Sequence, residues 1–191
     1  MIDQLSSKSN KERLLKIVYL FLSSENRISD AEFSLFEETG KSIEGFSEIK
    51  GVVIGECEKI LAPPDNNKSR FEIVAEYFSK PKESMGFFSV ESNTGNNIIL
   101  WTLIKLLFQI EMKTEKKQQL VEFWAEAKTI NKSIMLEMID TCETERAISD
   151  FKNSIETDKN MSYQEGKPII HELDENMVSL EESVNNLIVL G

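Results

Sequence analysis

The sequence contains few of the residues that build metal clusters, disulfides and the common catalytic sites. Its 191 residues include 2 Cys and 1 His. Cys57 and Cys142 have no Cys-x-x-Cys motif or Cys/His cluster near them, which argues against a zinc site or a redox pair. His171 lacks the neighbouring Cys, Ser or acid of a nucleophilic triad, and the sequence has no Gly-rich phosphate loop and no HExxH or GxSxG motif. We therefore expect no cofactor and no enzymatic activity.

Basic residues are fewer than acidic ones. Lys and Arg number 22 against 33 Asp and Glu, which gives a formal net charge of -11 at pH 7. Such a charge repels nucleic-acid phosphates and anionic lipid headgroups, and it attracts cations or a basic protein. The excess of carboxylates falls mainly in residues 25–60 and 151–191. The composition therefore argues against direct nucleic-acid binding and favours a basic protein partner.

No apolar run is long enough to span a membrane. The longest, residues 98–110, is polar only at Thr102, Lys105 and Gln109, whose spacing places them in one stripe of a helix. A helix of this length rises about 20 Å, which is short of the roughly 30 Å hydrocarbon layer of a bilayer. We predict a central core helix and no membrane insertion. The opening residues lack the apolar core of a signal peptide, so we expect a cytoplasmic protein.

Glycine and proline are sparse, and alternating β-branched stretches are few, which favours an all-α fold over a sheet protein. We predict a compact bundle of about seven to eight helices. A Ser-x-x-Glu capping box at Ser29 and Glu32 opens one helix, and Gly40 is expected to end it. Gly51 and Gly55 have a spacing that lets another helix approach closely, although residues 50–55 also fit a strand. The helices predicted before the C-terminal region cover residues 10–23, 29–39, 46–61, 70–79, 98–110, 114–128 and 131–155, with Asn10, Thr114 and Asn131 as N-caps.

The C-terminal region is predicted to be separate from the rest of the chain. Residues 1–155 form one helical domain, residues 156–166 a polar linker, and residues 167–191 an amphipathic helix with Pro168 at its start. Each fully buried aliphatic side chain contributes roughly 1.5–3 kcal/mol, so an apolar seam along this helix requires a covering surface. We expect it to dock on its own domain or on a partner, including a second copy of the chain. The seam consists of Ile170, Leu173, Met177, Leu180, Val184 and Leu187.

The two halves of the chain share a pattern of helices. In each half a nearly all-apolar helix, at residues 14–22 and 98–110, leads through a polar turn into a capped amphipathic helix and then into another helix. A repeated unit of this kind is most simply explained by duplication. The sequence therefore predicts a weak internal duplication.

The turn in the first half contains Ile28, Ser29 and Glu32 after Glu25 and Asn26. With the apolar helix before it, the stretch 14–36 resembles the TerB-like (tellurite-resistance) family, in which an apolar helix meets an Asp-Gly-x-Ile-Ser-x-x-Glu turn. Glu25 and Asn26 take the place of Asp-Gly here. The second half keeps only the helix and the cap.

The resemblance implies an internally duplicated all-α domain of bacterial stress-response and defence systems, with acidic positions proposed to meet metal ions. Apart from the resemblance, Glu25, Asp30 and Glu32 lie within eight residues of the chain and are candidate oxygen ligands for a hard cation. The turn has no Asp-x-Asp-x-Asp-Gly calcium loop, and a helix N-terminus favours acidic residues in any case. We therefore expect a structural cap at this turn, with a cation site as the alternative.

These observations predict a non-enzymatic acidic interaction protein, an accessory subunit of a bacterial stress-response or anti-phage defence system. An immunity or inhibitor protein that binds a basic enzyme or toxin through a carboxylate-rich face is the alternative. A third class is a small helical enzyme that uses a metal and a pair of acids, such as Glu122 with Glu126 or Glu143 with Glu145. In a chain with so many carboxylates such pairs arise by chance.

Overall fold

Helices form the fold in the parts of the chain that the computed structural model describes, which are residue 5 and residues 8–62, 67–80, 93–110, 114–158 and 162–190. These residues contain eight helices and no strand, which confirms the predicted all-α fold. No helix in these ranges combines the length and the apolarity needed to cross a bilayer. The helices are α1 (Lys8–Leu22), α2 (Asp30–Lys41), α3 (Phe46–Leu61), α4 (Arg70–Phe78), α5 (Asn93–Gln109), α6 (Glu115–Ala127), α7 (Lys132–Thr157) and α8 (Tyr163–Leu190).

Two apolar helices, α1 and α5, lie at the centre of the core. Every residue of α1 from Ile17 to Leu22 is buried, and α5 is buried from Gly95 to Leu107 except at Lys105. Helix α1 contacts α2, α3 and α5, whereas α5 contacts α6, α7 and α8 as well as α1. Removal of this apolar surface from water is the main favourable term in folding. The prediction of a central core helix at residues 98–110 is confirmed.

Helix α5 begins at Asn93, before the apolar run itself. Asn96 and Asn97 are buried in its first turns. The Nδ2 of Asn97 donates a hydrogen bond to the carbonyl of Ile188 at 3.3 Å, and the carbonyl of Asn96 accepts one from Nε1 of Trp124 at 3.4 Å. Buried polar groups need such partners. These two bonds connect the start of α5 to α8 and α6.

The helices of the two halves pack in the same order. In the first half α1 contacts both of the helices that follow it, α2 and α3. In the second half α5 likewise contacts α6 and α7. The shared order of contacts supports the duplication hypothesis, which rests on the chain pattern described above.

The predicted helix starts at the polar turns are present. Ser29 caps α2 in a complete capping box with Glu32, and Thr114 caps α6 through its side-chain oxygen. Asn131 caps α7, accepting the backbone N–H of Ser133 at 2.9 Å. A capping side chain satisfies backbone N–H groups that have no partner within the helix. A further capping box, Ser69 with Glu72, opens α4 and was not predicted.

Several predicted boundaries differ from the structure. Helix α1 begins at Lys8, so Asn10 lies inside the helix and is not its N-cap. Helix α7 runs to Thr157 and α8 begins at Tyr163, so helices occupy both ends of the predicted linker 156–166. The start of α8 is fixed by Ser162, whose N–H and Oγ–H donate to Glu165 at 3.0 and 2.6 Å. Pro168 consequently lies within α8 instead of starting it.

The glycines of the first half do not act as predicted. Gly40 is buried inside α2, which continues to Lys41. A Cβ at Gly40 would clash with the ring of Phe46, so this glycine provides room for the aromatic side chain. Gly40 does not end the helix as predicted. Gly51 and Gly55 are exposed, and no atom lies within 4 Å of a Cβ built on either. The predicted close helix packing at these two glycines is therefore wrong.

Candidate functional site

The acidic turn, residues 25–32, contains the three carboxylates that were considered as metal ligands. Glu32 uses its Oε2 within the capping box, where it accepts hydrogen bonds from the N–H and Oγ–H of Ser29 at 3.0 and 2.9 Å. Asp30 is exposed in the first turn of α2. An acidic side chain there is stabilised by the positive end of the helix dipole. Two of the three carboxylates thus have a role in starting α2.

The other oxygen of Glu32 faces the second half of the chain. Its Oε1 pairs with Nζ of Lys117, whose side chain is only 5% exposed. The same ammonium donates to the carbonyl of Leu22, at the end of α1, at 3.3 Å. Lys117 thus contacts both ends of the α1–α2 connection, Leu22 at the end of α1 and Glu32 at the start of α2.

Glu32 and Lys117 occupy equivalent positions in the two halves. Each lies three residues after the N-cap of its helix, which is Ser29 for α2 and Thr114 for α6. A carboxylate in this position completes a capping box, whereas the ammonium of Lys117 reaches across to the other half. We call this ion pair the cap-to-cap pair.

A second contact joins the same two helix starts. Glu25 accepts a hydrogen bond from Oγ1 of Thr114, the residue that caps α6. Thr114 Oγ1 also accepts the backbone N–H of Lys117 at 3.2 Å. The carboxylate of Glu25 therefore supports the cap of the second half, and it is directed toward a hydroxyl group of the protein.

The surroundings of Glu32 keep it ionised. Partial burial raises the pKa of Glu32, but the hydrogen bond from Lys117 and those from Ser29 lower it by more, so the net pKa is below the ordinary value.

Lys117 places a positive charge beside the acidic turn. Among the residues that the structure describes, no group of three or more His, Cys, Asp or Glu side chains is arranged to hold a metal ion.

The residues considered for nucleophilic chemistry lie in ordinary surroundings. His171 is exposed on α8, with Nε2 3.5 Å from Oε1 of Glu175 one turn away. Cys57 is fully buried against α1, and this burial raises the pKa of its thiol to about 12. A thiol is a nucleophile only as the thiolate. Cys57 is therefore an inert core residue at neutral pH.

The predicted seam of the C-terminal helix divides into two parts. Val184 is fully buried in the core, and Leu187 packs against it. Ile188, which was not part of the predicted seam, is also fully buried. The remaining four seam residues are only half-buried and lie outside the core cluster: Ile170, Leu173, Met177 and Leu180.

These four residues belong to a two-helix segment that we call the distal hairpin, residues 148–157 of α7 with residues 163–180 of α8. Helices α7 and α8 pack against each other, and Lys152 Nζ lies 2.6 Å from Oδ1 of Asp174. No described apolar side chain of the distal hairpin belongs to the core cluster. Phe151 is 52% exposed and Val178 is 56% exposed. The distal hairpin thus presents apolar surface to solvent.

A groove lies on the side of α2 that faces α5 and α8. It consists of two adjoining cavities of about 350 and 380 Å³, which share Leu35 and Gln109 in their walls. We call it the α2 groove. The second cavity ends at the acidic turn, and the first extends along α5 to Trp101 and α8. Sequence patterns did not indicate this groove, because its walls come from α1, α2, α5, α6 and α8, which include helices distant in the chain.

The comparisons with known proteins gave no match. No model of a known protein family matches it. No curated protein and no solved structure matches it either. The resemblance of residues 14–36 to the TerB-like family therefore stays an expectation from the apolar helix and the turn residues of that stretch.

Proposed function

We propose that this chain is a non-enzymatic acidic interaction protein, an accessory subunit of a bacterial stress-response or anti-phage defence system. The observation that carries the interaction role is the distal hairpin, whose apolar seam is only half covered by the helix beside it. The stress or defence role rests on the resemblance of the stretch 14–36 to the TerB-like family. The partner is a protein with a basic surface.

The distal hairpin has the properties of a binding surface. Ile155 is buried, the four seam residues are half-buried, and Phe151 and Val178 are exposed, so the hairpin keeps apolar surface that a partner can cover. Exposed apolar patches rimmed by polar residues mark interaction sites in soluble proteins. A partner helix placed along the hairpin would cover the open side.

The charge of the chain favours a basic partner over a second copy. Carboxylates are exposed along α8 next to the seam, including Glu172, Glu175 and Glu182. The distal hairpin has more carboxylates than basic residues, so a symmetric dimer through it would place two net acidic surfaces against each other. A basic surface instead gains from complementary charge, which speeds association and orients the partners.

The experiment is affinity purification of the tagged protein from its native host, followed by identification and direct binding of the recovered proteins. The variant Phe151→Ser/Val178→Ser removes exposed apolar surface from the distal hairpin. The matched control Leu136→Ser/Val52→Ser does the same elsewhere, because Leu136 is 46% and Val52 61% exposed outside the hairpin. We expect a basic partner to be lost with the hairpin variant and kept with the control.

Salt dependence provides an independent measurement of the same interaction. The association rate should fall as ionic strength rises from about 0.1 M to 1 M, because the Debye length shrinks from about 10 Å to about 3 Å. Equal recovery of the same partners by both double variants, or an association rate that does not respond to salt, would contradict the proposal.

An immunity or inhibitor role is the second candidate, and the net charge of -11 favours it. A carboxylate-rich face that covers the active site of a basic enzyme would block access of its substrate. Co-expression with a toxin encoded beside this gene tests the idea. Protection of the cells, together with a stable complex of the two purified proteins, would support this role over that of an accessory subunit.

A further inference from the structure

We infer that the α2 groove binds an amphipathic basic helix of a partner protein, with an apolar side chain on the groove floor and a Lys or Arg side chain between Glu38 and Glu181. This inference rests on the proposed function, since it specifies where a basic partner is anchored. It adds a site that the sequence patterns did not contain.

The shape of the groove suits a helix. Helix α2 packs mainly on α1 and α3, so its opposite side stays open toward α5 and α8. The two cavities lie side by side along α2, because Leu35 and Gln109 line both of them. Helix α2 has 12 residues and is therefore about 18 Å long. Helix-in-groove recognition uses an apolar channel of this kind.

The floor of the first cavity is apolar. Leu35 from α2 lines it together with Trp101 and Leu106 from α5. Trp101 is only 3% exposed and Leu106 only 2%, so both are held in place by the core beneath them. A floor that is already ordered reduces the conformational entropy lost on binding. An apolar side chain of the partner would rest on Leu35, which is half-buried, because Trp101 and Leu106 have almost no exposed surface left to cover.

The rim of the first cavity is acidic. Lys105 also lines it, but its ammonium lies 3.4 Å from Oε2 of Glu145 and 5.0 Å from the ring centre of Trp101. Glu38 on α2 and Glu181 on α8 form no ion pair within the described residues. Two carboxylates on opposite walls attract a cation placed between them. This charge selects a basic helix over an acidic one and over a second copy of the chain.

The groove is continuous with the proposed partner surface. Leu180 is the last half-buried seam residue of the distal hairpin, and Glu181 follows it directly in α8. Asn185, one turn further along, also lines the first cavity. A partner that covers the seam can therefore reach the groove without leaving the surface of α8.

The test uses a synthetic amphipathic helix of about 15 Leu and Lys residues, which would span about 22 Å. It is titrated into the full ¹⁵N-labelled chain and followed by NMR. The indole N–H of Trp101 and the side-chain amides of Gln109 and Asn185 report directly on the groove. A peptide of the same pattern with Glu in place of Lys serves as the probe of opposite charge.

Two charge-matched variants separate a groove-specific effect from a general one. Glu38→Gln/Glu181→Gln removes the two rim carboxylates. Glu122→Gln/Glu126→Gln removes two exposed carboxylates from α6, away from the groove. We expect the rim variant to weaken Leu/Lys peptide binding by about tenfold, and the α6 variant to change it by less than about twofold.

The outcomes distinguish this inference from the proposed function. Shifts of the three groove signals with the basic peptide, absent with the acidic one and weakened in the rim variant, support the inference. Binding whose shifts are confined to the distal hairpin overturns the groove and leaves the proposed function standing. Equal effects of the two variants, or equal binding of both peptides, also overturn it. No binding of the basic peptide at any surface contradicts both.

Discussion

Replacement of Lys117 by Met is expected to destabilise the protein by about 2–3 kcal/mol. The substitution removes an ammonium that is buried with its side chain 5% exposed, so Glu32 loses a charge-assisted hydrogen bond and the Leu22 carbonyl loses its donor. Hydrogen bonds to charged groups contribute about 1.5–3 kcal/mol, and breaking a buried pair costs about 3–5 kcal/mol. Glu32 keeps two hydrogen bonds from Ser29, which places the expected value toward the lower end.

Equilibrium urea unfolding, followed by far-UV circular dichroism, measures this loss. Glu32→Gln should also be destabilising, because it leaves the ammonium of Lys117 buried without a countercharge while the amide still completes the cap. The double variant should be more stable than the sum of the two single effects predicts, by about 1–2 kcal/mol. Additive effects, or a Lys117→Met cost below about 0.5 kcal/mol, would refute the cap-to-cap pair as a stabilising contact.

The pH dependence of this loss has a definite sign. The pKa of Glu32 is lower in the folded protein than its ordinary value of 4.5, so its contribution to stability is present above that pH. It is lost as pH falls through the folded-state pKa. Lys117→Met removes a cause of the lowered pKa of Glu32. The difference in unfolding free energy between the wild-type protein and this variant should therefore narrow below pH 4.5. A difference that grows on acidification would contradict this assignment.

Further substitutions test other features of the fold. Ser29→Ala should destabilise the protein by about 1 kcal/mol through loss of the cap. Ca²⁺ or Mg²⁺ should leave the melting temperature nearly unchanged. A cation-induced rise in melting temperature that disappears in Glu25→Gln would indicate a cation site. Gly40→Ala should destabilise the protein because the new Cβ meets the Phe46 ring, whereas Gly51→Ala should stabilise it by about 0.4–1 kcal/mol. Both effects are measured by denaturant unfolding. The reverse order of stabilities would contradict the packing of Phe46 on Gly40. Ile188→Ala should destabilise the protein by about 2–5 kcal/mol in the same assay. Ile170→Ala should mainly weaken partner binding. Equal losses of stability in the two variants would contradict the division of the seam between the core and the distal hairpin.

The sequence was sufficient for features that depend on local chemistry. The apolar run at 98–110 can only be buried, and Ser29 with Glu32 can form a cap from residues that are adjacent in the chain. The same locality explains the errors. A glycine near a predicted helix end resembles a stop signal, and only the tertiary position of Phe46 shows that Gly40 provides space inside the helix.

The candidate sites depended on contacts between distant parts of the chain. Nothing near Lys117 in the sequence indicates that it pairs with a residue of the first half, although counting from the two N-caps would have aligned it with Glu32. The α2 groove is a gap between helices from both halves, and a gap has no residue pattern of its own. The seam of α8 was recognisable by its spacing, but its division between core and distal hairpin depends on where α5 ends beside it.

The cap-to-cap pair has a consequence for how the two halves came to share one chain. If the halves descend from a single repeated unit, residues at equivalent positions that touch each other lie on the axis relating the units. Two identical units would then oppose Glu to Glu or Lys to Lys, which repel. Glu32 and Lys117 attract only because the two positions differ. On that condition the contact became possible only once duplication had given the two positions separate sequences, and a single unit could not use it to form a dimer with itself.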